Sequence, residues 1–123
     1  MNIGSLIQTG DWKGEKHVPI IHCKDTVKAD EVVEIKVSIG DEIPHPNTME
    51  HYISWVQVFF HPEGSKFPIE IGKFEFKAQG ESDLFSQPFG VCQTKINKSG
   101  TIHAISYCNI HGLWENKKSI IVE

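Results

Sequence analysis

The sequence predicts an all-β protein, an antiparallel sandwich or barrel of about seven short strands. Three observations predict it. Apolar residues alternate along the chain, with no sustained helical spacing. Glycine, proline and small polar residues interrupt the alternation at short intervals. No stretch carries the period of a long helix, and there is no internal repeat or low-complexity tract. Two facing sheets of the immunoglobulin-like kind are the arrangement expected of such strands.

The clearest strand runs from Val33 to Ile39, where Val33, Ile35, Val37 and Ile39 alternate with Glu34, Lys36 and Ser38. Tyr52 to Phe60 is aromatic and β-branched throughout and reads as a strand buried on both faces. Ile69 and Ile71, then Phe74, Phe76 and Ala78, alternate with a phase change at Gly72, which marks a bulge or bend. Further strands are predicted at His17–Cys23, Phe89–Ile96, Thr101–Tyr107 and Ser119–Val122. Turns fall at Gly40-Asp41, His61-Pro62-Glu63-Gly64, Gly80-Glu81-Ser82-Asp83 and Lys98-Ser99-Gly100. The first dozen residues and Pro46–His51 each have room for a short helical turn. Residues 1–123 are expected to form one domain.

Composition excludes several classes of function. All 12 basic residues are lysine and the net charge is −4. Without arginine there are no bidentate forks for phosphate or guanine, so nucleic acid is not an expected partner. Residues 1–10 lack a basic segment followed by an apolar one, and no run approaches the roughly 20 apolar residues of a membrane span. The cysteines Cys23, Cys92 and Cys108 cannot all pair, which favours a reducing, cytoplasmic setting.

Chemistry concentrates in three segments. Cys108-Asn109-Ile110-His111-Gly112-Leu113-Trp114 places a thiol and an imidazole three residues apart, next to a glycine suited to a tight turn. Pro44-His45-Pro46 opens a loop that closes at His51, and the prolines hold φ at about −65° on either side of His45. Glu15-Lys16-His17-Val18-Pro19 brings a histidine to the start of a predicted strand. Imidazole and thiolate both ligate transition metals, so the three segments together point to a metal centre. His22, His61 and His103 are read as structural or surface residues, with His103 on the strand face of Thr101, Ile105 and Tyr107. Cys23 and Cys92 fall inside predicted strands and read as buried apolar side chains.

These segments resemble the superoxide reductase family in its single-domain, neelaredoxin-type form. The family carries Glu-Lys-His-x-Pro, His-Pro-x-x-x-x-His and Cys-x-x-His-Gly-x-Trp segments, all present here in that order, and Gly10-Asp11-Trp12-Lys13-Gly14 is similar as well. The resemblance implies one mononuclear non-haem iron held by His17, His45, His51 and His111 around it and by Cys108 as an axial thiolate. It implies that His111 binds through Nδ1 and the other three through Nε2, with the amides of Ile110 and His111 hydrogen-bonded to the sulfur. The position opposite Cys108 is left open for superoxide, which is reduced by one electron to hydrogen peroxide.

The resemblance further implies roles for Glu15 and Lys16 on the rim of the site. Glu15 shields the iron in the resting oxidised form, and Lys16 attracts superoxide and orients a proton-donating water. It also implies re-reduction by an external donor such as rubredoxin, and a homotetramer. Some family members hold a second iron with four cysteines; three cysteines, one already committed, allow only a single iron centre here.

Two rival readings remain. A cupredoxin-like electron carrier is also a β-sandwich with Cys and His near the C-terminus, but it wants an axial methionine just after the second histidine. Gly112-Leu113-Trp114 stands there, and the only methionines are Met1 and Met49. A structural zinc site would account for ligands but not for a fifth donor or the Glu15-Lys16 rim. Within the superoxide reading, a minor dismutase activity is compatible with the same residues.

Overall fold

The computed structural model describes residues 1–123. It contains eight strands: β1 (Ile20–His22), β2 (Thr26–Val27), β3 (Val32–Ser38), β4 (Ile53–Pro62), β5 (Ile69–Glu75), β6 (Phe89–Lys95), β7 (Gly100–Cys108) and β8 (Gly112–Val122). They form two sheets, one ordered β1-β3-β6 and the other β2-β8-β7-β4-β5. The result is an all-β sandwich without an α-helix, as the alternation predicts. Two short 3-10 turns, Ile3–Leu6 and Glu81–Asp83, are the only helical pieces. No helix is long and apolar enough to cross a membrane.

The core lies between the sheets. Val33, Ile35 and Val37 of β3 face Val56, Val58 and Phe60 of β4 and Ile102 and Ala104 of β7 within one buried cluster. Each strand contributes every second residue because successive side chains leave opposite faces of the pleat. Cys108, at the end of β7, belongs to this cluster and is fully buried. The core therefore extends up to the thiol.

Several expectations need correction. β4 is buried on one face only; Trp55, Gln57 and Phe59 line a half-exposed face, where Trp55 stacks on Tyr107 at 5.7 Å between ring centroids. β8 is 11 residues long and not confined to Ser119–Val122. β1 begins at Ile20, so His17 and Cys23 lie in the flanking loops. Pro46–His51 forms bends with no helical turn. The short β2 is an eighth strand, and it pairs parallel to β8 in an otherwise antiparallel set of ladders. The irregularity anticipated at Gly72 is real: Val58 pairs with Gly72 and Phe59 with Glu70, so Ile71 is the extra residue.

One end of the sandwich gathers the chemistry. Cys108 pairs with Ile53 at the start of β4 and with Gly112 at the start of β8. The tight β7–β8 turn thus lies beside the loop that leads into β4. The N-terminal segment crosses the same end: Gln8 bridges to Trp114, and Asn116 Nδ2 donates to the Pro19 carbonyl at 2.9 Å.

Candidate metal centre

The β7–β8 connection is a three-residue hairpin loop, Asn109-Ile110-His111, closed by Gly112 at φ +82°. A left-handed residue at this point is the usual exit from such a loop, and glycine adopts it without steric cost. The turn directs the His111 amide back to Cys108, where it donates to Sγ at 3.4 Å. Of the two amides expected on the sulfur, only that of His111 is bonded there. The His111 carbonyl is held from outside by Gln8 Nε2 at 2.9 Å and Trp114 Nε1 at 3.2 Å.

The His45–His51 loop is fixed at both ends. Gly40, at φ +86°, sits so close to the returning chain that an added Cβ would lie 2.7 Å from the His45 nitrogen. At the other end Asn109 Nδ2 donates to the Glu50 carbonyl at 2.9 Å, and Asn109 Oδ1 accepts the Tyr52 amide at 2.9 Å. His17 comes from the loop before β1. Its ring lies flat on Trp114, with 4.7 Å between centroids and 12° between planes, and its carbonyl accepts from Ser106 Oγ at 3.3 Å.

The four imidazoles close a quadrilateral. Going round from His17 to His45, His51, His111 and back, neighbouring centroids are 4.9, 4.7, 5.0 and 4.8 Å apart. His17 and His51 stand at opposite corners, 6.4 Å apart. The donor atoms of His17, His45, His51 and Cys108 all lie within 4.8 Å of one another. His111 is outside that tightest group, yet its Nδ1 is 3.1 Å from His17 Nε2 and 3.9 Å from Cys108 Sγ. All five residues named from the sequence converge on one point.

Hydrogen bonds decide which nitrogens face inward. His17 Nδ1 is taken by Glu15 Oε1 at 2.5 Å and His45 Nδ1 by the Pro46 carbonyl at 2.6 Å, leaving Nε2 of each toward the centre. Nε2 of His45 and Nε2 of His51 are buried without any hydrogen-bond partner. An unsatisfied buried polar atom costs about 1–3 kcal/mol, and two facing the same point call for a shared partner that accepts lone pairs. Burial pushes the His45 imidazole down to about 4 against the opposing Pro46 hydrogen bond, helped by the nearby charges of His17, His51 and Lys16. His51 is lowered as well, first by burial and then by His111, His17 and Lys16. Neutral imidazoles beside a thiol are a transition-metal donor set. The residues fit a metal ion.

The rim residues sit as follows. Glu15 is not among the converging donors; it accepts both the ring Nδ1–H and the backbone N–H of His17, the latter at 2.9 Å. Burial would raise its carboxyl, and the His17 hydrogen bonds outweigh that and hold it below the usual range. Lys16 is half-buried and close enough to His45 and His51 to depress both. Lys13 lies over the Trp12 ring, 5.7 Å from its centroid.

The remaining histidines and cysteines stay apart from the site. His22 contacts Ser38 and Asp41, His61 donates to the Ser65 carbonyl, and His103 lies on the outer sheet face. Cys23 and Cys92 are half-buried against the core, and burial raises both thiols. Sequence reasoning missed Asn109, Gln8 and Ser106, which shape the site without facing its centre. For Asn109 a signal existed, since asparagine in a tight turn commonly bonds neighbouring backbone.

The fold and donor set define a His/Cys metal site at one end of an all-β sandwich. The sequence matches the desulfoferrodoxin family over residues 9–117. The chain belongs to that family, in its superoxide reductase and neelaredoxin group. It is 51% identical over 111 residues to the superoxide reductase of Pyrococcus horikoshii, covering 90% of this chain and 92% of that one. It is 45% identical over 130 residues to the neelaredoxin of Megalodesulfovibrio gigas, covering 100% of both. The solved structure of superoxide reductase (neelaredoxin) from Archaeoglobus fulgidus in the reduced form superposes with a TM-score of 0.86 at 49% identity, covering 94% of this chain and 98% of that one.

Proposed function

We propose that this protein is a superoxide reductase, converting superoxide to hydrogen peroxide at a single mononuclear iron. The observation that carries the reading is the convergence of four imidazoles and one buried thiol on one point, with two Nε2 atoms orphaned there. His17, His45 and His51 would hold the ion through Nε2, His111 through Nδ1 and Cys108 through Sγ. The chemistry supplied by bound ferrous iron is transfer of one electron to superoxide, which leaves with two protons as hydrogen peroxide.

The chain's own residues set the conditions for that transfer. Cys108 is sealed from water by the core, so a sulfur holding the ion there would meet no competing solvent on that side. The His111 amide donates to Sγ and would thereby tune how strongly the sulfur donates to a bound ion. Lys16 places a cation beside His45 and His51, where an approaching anion is attracted. The exposed His111 marks the solvent side of the site.

Electrons come from an external donor, for which a rubredoxin-like protein is our reading. Three unpaired thiols suit a reducing, cytoplasmic compartment. The half-exposed aromatic face carrying Trp55, Phe59 and Tyr107 suits packing against further copies in a homotetramer.

Metal analysis with an optical spectrum before and after ascorbate tests the proposal. One iron per chain, a visible band that bleaches on reduction, and superoxide consumption in pulse radiolysis are expected. Cys108→Ser should remove the sulfur-to-iron charge-transfer band. A colourless zinc protein from iron-replete cells, or a band that survives in Cys108→Ser, would refute it.

A further inference from the structure

The donors reach the centre on three stretches of chain. His45 and His51 share one loop, and Cys108 and His111 share one tight turn. His17 comes alone, from the loop before β1, 94 residues from His111. Its position relative to the other donors therefore depends on non-covalent contacts. His17 Nε2 and His111 Nδ1 nevertheless stand 3.1 Å apart. Two nitrogens bound at right angles to one ion, each about 2.1 Å from it, would be about 3.0 Å apart.

Trp114 touches both histidines. Its indole lies flat on the His17 ring, with 4.7 Å between centroids and 12° between planes. Its Nε1–H donates to the His111 carbonyl at 3.2 Å, a carbonyl that also accepts from Gln8 Nε2 at 2.9 Å. The backbone around Trp114 is fixed in turn. The Gln8 amide donates to the Leu113 carbonyl at 3.0 Å, and the Gln8 carbonyl accepts the Glu115 amide at 2.8 Å. The fully buried Ser106 hydroxyl lies 3.3 Å from the His17 carbonyl oxygen and 3.5 Å from that of Trp114. A flat stack sets the plane of one imidazole, and the bond from Nε1 anchors the turn that carries the other.

We propose that Trp114 is a positioning residue that braces His17 against His111, holding their inward nitrogens at the spacing of adjacent ligands. This rests on the metal reading above. Trp114 donates nothing to the ion and acts through two residues that do. Outer contacts of this kind keep metal-binding side chains aimed, and losing one costs roughly 10–100-fold in affinity.

Two substitutions separate the contacts. Trp114→Phe keeps a ring to stack on His17 and removes the Nε1–H bond; Trp114→Leu removes both. Metal-free wild type and variants would be titrated with Co2+ against a competing chelator, following the sulfur-to-cobalt band and the visible d–d bands. Trp114→Leu should bind roughly 10–100-fold more weakly. Its d–d bands should strengthen as a histidine is lost and coordination falls toward four, while the sulfur band persists. Trp114→Phe should lose up to about tenfold in affinity, the share of one hydrogen bond, with d–d bands like those of wild type.

Wild-type affinity in Trp114→Leu would overturn the proposal. So would weaker binding with unchanged d–d bands, which would mark a general loss of stability, read independently from the urea midpoint of the metal-free protein. Should Trp114→Leu not fold, Trp114→Phe decides, and wild-type affinity there would overturn the brace. A wild type that binds Co2+ without a sulfur band would refute the metal site itself and this proposal with it.

Discussion

Asn109 and Tyr52 clasp one another across the site. The Asn109 amide donates to the Tyr52 carbonyl at 3.2 Å, and the Tyr52 amide donates back to Asn109 Oδ1 at 2.9 Å. Asn109 follows Cys108 and Tyr52 follows His51, so two donors far apart in sequence are held at fixed separation by residues that donate nothing to the centre. With Nδ2 on the Glu50 carbonyl, every polar group of the Asn109 side chain is engaged.

Asn109→Ala should therefore loosen the site more than its exposed position suggests. Two side-chain hydrogen bonds are lost, worth about 1–3 kcal/mol together. Metal affinity should fall along with the urea midpoint, measured on loaded and metal-free protein. An unchanged affinity would show that the sheet alone sets the spacing of His51 and Cys108.

Gly40→Ala should damage the His45 loop. The residue stands at φ +86°, and the new Cβ would meet the His45 nitrogen at 2.7 Å and Pro44 Cα at 3.2 Å. Gly64 provides the control, with φ +77° and open space around it. Both alanines bear a backbone cost of about 1–3 kcal/mol. Only Gly40→Ala should also lower metal affinity; equal effects in thermal unfolding and metal titration would remove the steric argument.

Lys16→Ala should slow the capture of superoxide. Its charge is felt at His45 and His51, and salt screens such attraction over about 8 Å at physiological ionic strength. The second-order rate in pulse radiolysis should fall by up to about tenfold at low salt, with the gap closing as salt rises. A rate insensitive to both the substitution and ionic strength would leave Lys16 without this role.

The metal-free protein should lose stability in mild acid. Burial keeps His45 neutral until about pH 4, whereas in the unfolded chain it takes a proton near its ordinary 6.5. Between those values the unfolded state binds more protons, so stability falls as pH drops from about 6.5 to about 4 and is flat above. His51, lowered in the same direction, adds to the slope. Urea titrations across this window should show the fall, and His45→Gln should flatten it.

How far the sequence could be read depended on what each strand faces. β3 was legible because its inward positions, Val33, Ile35 and Val37, are all apolar and Glu34 and Lys36 between them are charged. Most of β8 was not, because Trp114, Asn116 and Lys118 point toward the crossing N-terminal segment and carry polar groups. Asn116 bonds the Pro19 carbonyl, and Lys118 reaches the Cys23 carbonyl and Asp25. A strand covered by a polar loop shows no hydrophobic period. β2, with two residues, is too short to show any.

For the centre itself, the sequence supplied the candidates: residue types, motif order and the family resemblance they carry single out His17, His45, His51, Cys108 and His111. The tertiary structure decided the rest. It set the order of the imidazoles around the quadrilateral, bound the carboxylate of Glu15 to His17 Nδ1, and tied Asn109 to the His51 loop. The physical reason is that a residue type fixes which atoms can donate. The direction in which they donate depends on hydrogen bonds and ring stacking, several of them, like Trp114 on His17, from residues far away in the chain.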